Sequence, residues 1–143
     1  MNKIILGLTL LASLTCLALG TESYNLEVNG GGEIRIGGFF SSDPTFIPFR
    51  EEVVKELAKK NISSNSKNVI DGNLEYDYEF ITQRFDFFGL RHKAKINGEL
   101  IFNGQSSQFS FICDALIADG GNQTLKISCA QALAKKVQKL ISN

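Results

Sequence analysis

The chain has 143 residues, 43% of them apolar, and its 15 basic and 15 acidic side chains cancel. That length fits one ordinary domain with a modest core. Neutrality removes the long-range attraction on which binding to nucleic acid or to an anionic membrane surface relies, so no nucleic-acid partner is expected.

The N-terminus reads as a secretory signal. Lys3 supplies positive charge, Ile4 to Leu14 an apolar run, and Ala18-Leu19-Gly20 small residues at the spacing of a cleavage site. Residues 1–20 are therefore expected to form the signal peptide, with 21–143 as a single domain. The run is short for a membrane span, and no later segment is long and apolar enough. A mature chain without a transmembrane helix, periplasmic or secreted, follows. Ser13-Leu14-Thr15 before Cys16 and Leu17-Ala18-Leu19 after it do not fit the box around an acylated cysteine, so no lipid anchor is expected at Cys16. The signal suits a bacterial periplasm or a eukaryotic secretory route. In the latter, Asn61-Ile62-Ser63 and Asn122-Gln123-Thr124 are glycosylation acceptors.

Tyr24, Leu26 and Val28 alternate with polar residues and predict a strand. Asn29-Gly30-Gly31-Gly32 breaks it as a flexible turn, and Ile34 and Ile36 restart the two-residue period, as in a first hairpin or a frayed edge. A helix follows from about Thr45 or Pro48 to Lys60. Phe49, Val53, Val54 and Leu57 form its apolar stripe, Glu51 and Glu52 sit early, and Lys59 and Lys60 sit late, which suits the macrodipole. Asn61 is placed to take the left-handed stop position.

Leu74, Tyr76, Tyr78 and Phe80 alternate with Asn73, Glu75, Asp77 and Glu79, giving one aromatic and one acidic strand face. The alternation loses phase at Ile81 to Arg84, and Arg84 to Gly89 reads as a loop or bulge. In the next strand Ala94, Ile96, Leu100 and Phe102 face one way, with Gly98 among them. Asn103-Gly104 favours a two-residue type I′ turn. That turn puts Phe102 opposite Gln105, Gly98 opposite Phe109, Ile96 opposite Phe111 and Ala94 opposite Cys113. A short strand near Leu125 to Ile127 is expected next. Ser128 and Gln131 then make a capping box for a last helix, with Ala130, Leu133, Ala134, Val137, Leu140 and Ile141 on its apolar face.

With Cys16 inside the signal, Cys113 and Cys129 remain as an even pair, and an oxidising compartment favours a disulfide between them. Such a bond closes a loop of about 16 residues, which loop entropy values at ~3 kcal/mol. The competing reading is two buried thiols. The order of elements predicts an α+β fold: a two-layer sandwich of a mainly antiparallel sheet, about four to five strands, with two amphipathic helices on one face.

Each candidate site has a plain counterpart. Glu75, Asp77 and Glu79 resemble an oxygen cluster for a hard cation. Pairing of Glu79 with Lys93 and Asp77 with Lys95 makes them a charge ladder instead, with Asp114 also facing Lys93. His92, the single histidine, falls opposite Phe80 at the end of the buried face, without a nucleophile and acid beside it. No catalytic, metal or cofactor-binding residue is assigned. Arg84, Phe85, Phe87, Phe88 and Arg91 combine aromatics with arginines, as binding hot spots do. Exposed, they suggest a partner; tucked under a helix, they are core.

Ile34-Arg35-Ile36-Gly37-Gly38-Phe39, the helix Phe49 to Leu57, the meander and the closing helix Ala130 to Ile141 follow an order that resembles small α/β proteins of bacterial envelopes, the TolB N-terminal-like domain and related small lipoproteins. The resemblance implies a non-catalytic interaction module. The expectation is an exported, non-enzymatic binding or assembly-accessory protein with an envelope or extracellular protein partner. The alternative is a small ligand- or metal-binding protein, or a metal-dependent enzyme, using the acidic strand face.

Overall fold

Asn103 and Gly104 reverse the chain, and the sheet is organised around that reversal. Their φ angles are 51° and 75°, the left-handed pair that a type I′ turn requires. The turn joins β6 (Gly89–Phe102) to β7 (Gln105–Ile117), with Phe102 opposite Gln105, Gly98 opposite Phe109, Ile96 opposite Phe111 and Ala94 opposite Cys113. The predicted register of this hairpin is the observed one. These coordinates come from a computed structural model, which describes residues 22–31, 33–36, 45–86, 89–117 and 122–143.

On the other side of β6 lies β5 (Gly72–Asp86), antiparallel to it. Next comes β1 (Tyr24–Gly30), parallel to β5, with Leu26 opposite Gly72 and Val28 opposite Leu74. The two-residue β4 (Ile62–Ser63) pairs in parallel with the start of β1. The order β4-β1-β5-β6-β7 makes an open, mixed, five-stranded sheet. A second sheet contains only β2 (Glu33–Ile36) and β3 (Thr45–Pro48), antiparallel to each other. Two helices, α1 (Phe49–Ala58) and α2 (Asn122–Ile141), complete the α+β fold.

Several expectations are corrected. The predicted first hairpin does not form, because β2 pairs with β3 while β1 joins the main sheet. The helix starts at Phe49 rather than Thr45. Pro48 disfavours helical geometry at the residue before it, which keeps Ile47 extended. Residues 125–127 are helix, not strand: Leu125 is fully buried and shares its stripe with Cys129 and Leu133 at helical spacing. Ser128 therefore lies inside α2, and its hydroxyl donates to the Asp114 carbonyl at 3.1 Å instead of capping the helix. Arg84 to Asp86 is strand, since β5 continues until Asp86 pairs with Gly89. A bulge between Phe80 and Thr82 accounts for the lost alternation. The register also differs from the expected one, by two residues before the bulge and three after it: Glu79 faces Lys95, Asp77 faces Asn97 and His92 faces Gln83. The pairing of Lys93 with Asp114 holds. Asn61 holds the left-handed stop after α1, with φ of 60°.

One face of the sheet is apolar and both helices cover it. Leu26, Val28, Leu74, Tyr76, Ile96 and Leu100 are buried there against Phe49, Val53 and Leu57 of α1 and Leu133, Ala134 and Val137 of α2. Fully burying a side chain such as Phe49 contributes ~1.5–3 kcal/mol. Cys113 on β7 and Cys129 on α2 lie at disulfide distance, their Cα atoms 5.3 Å apart, at a sequence separation of 16. The bond ties α2 to the sheet from beneath.

Gly98 sits at the centre of this face. A Cβ there collides with the Phe109 ring and with the Glu75 carbonyl. Relief requires backbone or ring movement in a closely packed layer, and such overpacking costs ~1–3 kcal/mol. Gly98→Ala is expected to lower the unfolding free energy measured in urea by that amount, seen as a lower midpoint with an unchanged slope of the transition.

Candidate functional site

The uncovered face of the sheet is read row by row from the register. Glu75, Glu99 and Gln108 form one row across β5, β6 and β7; Asp77, Asn97 and Ser110 form the next; Glu79, Lys95 and Ile112 form a third. These side chains point away from the helices because residues alternate strictly across a strand. The first two rows contribute to the lining of an open cleft of about 940 Å³, which also takes in Tyr76, Gly98 and Phe109 from the opposite parity of the same strands. Asn29 and Gly31 at the end of β1 border it, as does Arg50 from α1. Arg50 is anchored at the open side of β1, where its Nε donates to the Val28 carbonyl at 2.9 Å.

Within the cleft the polar groups are partly tied to one another. Ser110 Oγ donates to Asn97 Oδ1 at 2.8 Å, Ser106 Oγ to Glu99, and Asn73 Nδ2 to Glu75 Oε1 at 3.3 Å. Glu75 and Glu99 are direct cross-strand neighbours, a like-charge pairing that weakens a sheet. Their carboxylates, with the neighbouring amides and hydroxyls, offer hydrogen bonds to a polar partner. Among the described residues, no three His, Cys, Asp or Glu side chains gather as a metal-binding group.

The other sequence candidates fall elsewhere. His92 is buried on the helix-covered face, between Gln83 and Ala115 in the ladder. Arg91 pairs with Asp114, Nη1 to Oδ2 at 3.0 Å, on the uncovered face. Arg84 and Phe85 occupy β5 opposite Arg91 and Leu90. Phe87 and Phe88 lie outside the described residues. The hairpin holding Arg84 to Arg91 extends past the end of β1, whose pairing with β5 stops at Tyr76. Gly30 is not a free turn: it closes β1, and the space its missing side chain leaves is filled by the Tyr76 ring.

Sequence reasoning missed two polar arrangements. Asn25 is buried, and its Nδ2 donates to the carbonyls of Asn65 and Val69 at 2.9 and 3.0 Å. Its Oδ1 accepts from Ser63 Oγ and the Asn65 amide at 2.9 and 2.8 Å. All donors and acceptors of that amide are used to hold the 63–71 connection on β1. Only a polar residue beside Leu26 hinted at it. Tyr76 and Tyr78 flank Phe49, with ring centroids at 5.7 and 5.1 Å. Neither hydroxyl has a hydrogen-bond partner among the described residues. Burial pushes the Tyr78 phenol up to about 12. Burial raises Tyr76 further, against a small opposing pull from Arg50.

No family model matches the chain, and no curated protein matches it. Among solved structures it is similar to an uncharacterized protein, at 11% identity and a TM-score of 0.44, covering 83% of this chain and 88% of that one. It is also similar to the hypothetical protein CT253 from Chlamydia trachomatis, at 9% identity and a TM-score of 0.45, covering 85% of this chain and 94% of that one. Neither likeness bears on function.

The buried phenols set an alkaline limit. A folded-state value raised above the ordinary value near 10 means that folding favours the neutral phenol. Their contribution to stability is complete below that value and is lost as pH rises through the folded-state range. Ultraviolet titration is expected to show Tyr24 ionising while the fold is intact, and Tyr76 and Tyr78 only near or above pH 12 or together with unfolding. Urea midpoints should begin to fall from about pH 10.

Proposed function

We propose that this protein is an exported, non-enzymatic module that binds another envelope or extracellular component through the uncovered face of its sheet. The observation that carries this reading is the open cleft whose lining includes Glu75, Asp77, Asn97, Glu99, Gln108 and Ser110 of the uncovered face. A surface of carboxylates, amides and hydroxyls, bordered by Arg50, suits a partner rich in hydrogen-bond donors. The segment Arg84 to Arg91, with Phe87 and Phe88, belongs to the same proposal as a second contact.

Export is the other half of the proposal. Its support is the N-terminal pattern of Lys3, the apolar run and Ala18-Leu19-Gly20, together with a cysteine pair at disulfide distance. No helix among the described residues is long and apolar enough to cross a membrane. The exported chain is expected to begin at Thr21 and to gain no mass on alkylation without reductant. A chain that retains residues 1–20, or that takes two labels, overturns this half. Replacing both cysteines by serine should lower stability by ~3 kcal/mol in urea unfolding.

Photo-crosslinking in living cells tests the binding surface. A photoreactive residue at Asp77 or Phe87 is expected to give a discrete adduct, identified by mass spectrometry, that one at Lys135 on the exposed side of α2 does not. Capture should weaken in Phe87→Ala and Phe88→Ala variants that keep the wild-type urea midpoint. Adducts from Lys135 alone, or undiminished capture by the folded variants, reject the assignment. Calorimetric titration with calcium separates the ion-binding alternative: heat abolished by a Glu75/Asp77/Glu79 triple alanine supports an ion site instead.

A further inference from the structure

β7 ends the sheet, and no strand among the described residues pairs with its far side. The two-residue turn makes Phe102 and Gln105 a hydrogen-bonded pair, and such pairs recur at every second residue along the hairpin. The odd-numbered residues of β7 therefore spend their backbone groups on β6. The even-numbered ones, Ser106, Gln108, Ser110 and Ile112, turn N–H and C=O outward. Asp114 confirms this phase, since its carbonyl accepts the Ser128 hydroxyl of α2. That bond closes the edge at one end, and the Asn103-Gly104 turn closes it at the other. Between them lies an open window, Ser106 to Ile112.

This window lacks the usual safeguards. An exposed edge is normally protected by lysine, proline, a bulge or a short length. Residues 105–113 carry no charge and no proline, β6 and β7 pair without a register break, and β7 spans 13 residues. Ile112, on the uncovered face, is 62% exposed.

We infer that the β7 edge pairs antiparallel with the β7 edge of a second copy of this chain, about a two-fold axis through Phe109. Matching window to window sets that centre. Gln108 then faces the second copy's Ser110, and Ser106 faces its Ile112, each an outward-turned pair able to exchange two backbone hydrogen bonds. The symmetry puts no like charges opposite one another, because the one charged residue of β7, Asp114, falls against the second copy's Gly104. A second copy therefore fits without charge repulsion, and its own open window supplies outward N–H and C=O groups in matching number and phase. The α2 overhang at Asp114 lies outside the paired window in both copies. The result is one continuous sheet with isologous symmetry.

The test combines light scattering with amide hydrogen exchange on the full chain purified from cells, at low and high concentration. At high concentration the mass is expected at twice the monomer value, and the Gln108, Ser110 and Ile112 amides should exchange roughly tenfold more slowly than in dilute solution. The Phe109 and Phe111 amides, bonded to β6, should be slow in both. Ser110→Pro removes an outward N–H and leaves the β6 ladder intact; Ile112→Lys puts charge into the edge. Each is expected to be monomeric with the wild-type circular dichroism. If Ser110→Pro does not fold, Ile112→Lys decides alone. A wild-type chain that stays monomeric at every concentration overturns the inference. So does a dimer whose even-numbered amides stay fast, or one that persists in the folded variants.

Discussion

The fold depends on covering one oily surface. The apolar rows of β1, β5, β6 and β7 all fall on the same side, and α1 and α2 shield them from water. The shorter helix, α1, has only ten residues, below the length at which helices persist in water on their own. Sheet and helices are stable because each removes the other's apolar area from solvent. The Cys113–Cys129 link adds to this at the point where α2 crosses β7, by holding together in the unfolded chain what the core holds together in the folded one.

This division of the sheet leaves its second face free for polar chemistry. Small residues beneath large rings make the division possible. Gly30 accommodates Tyr76, and Gly98 accommodates Phe109. The aromatic rings are therefore accommodated in the core, and the other side of the same strands carries a mostly polar surface, with Ile101 and Ile112 as exposed exceptions. The same layout concentrates Glu75 and Glu99 across from each other, a local cost that the core tolerates because it falls on the solvated side.

What was legible in the chain was whatever rests on neighbouring residues. Asn103-Gly104 encodes its own turn, and the hairpin register follows from counting outward; Asn61 encodes its own helix stop. The α+β class follows from two helical and several alternating stretches. Distant pairings were not legible. Nothing local to Leu26 or Val28 says that they lie parallel to Gly72 and Leu74 rather than against Ile34 and Ile36. The β5 register is not local either: the pairing Asp86 with Gly89 sets it, a bulge between Phe80 and Thr82 moves it by one more residue, and alternation reveals a break in phase but not its size. For the candidate site, the acidic residues of β5 were visible as a row. Their convergence with Asn97, Gln108 and Ser110 was not, since it needs the register of three strands together. Asn25 and the buried phenols were invisible for a different reason: a polar group inside a protein is defined by what surrounds it.

The parallel seat of β1 has a consequence for how the chain reaches its final form. β1 emerges early from the ribosome, yet its main neighbour begins at Gly72, opposite Leu26, and Cys129 appears close to the C-terminus. Contacts so remote along the polypeptide are slow to form, because the intervening stretch must first be gathered up. During synthesis the leading strand therefore waits unpaired until about half of the molecule has been made. The core itself closes later still, because Leu133, Ala134 and Val137, which roof the sheet, are among the last residues of the chain to appear.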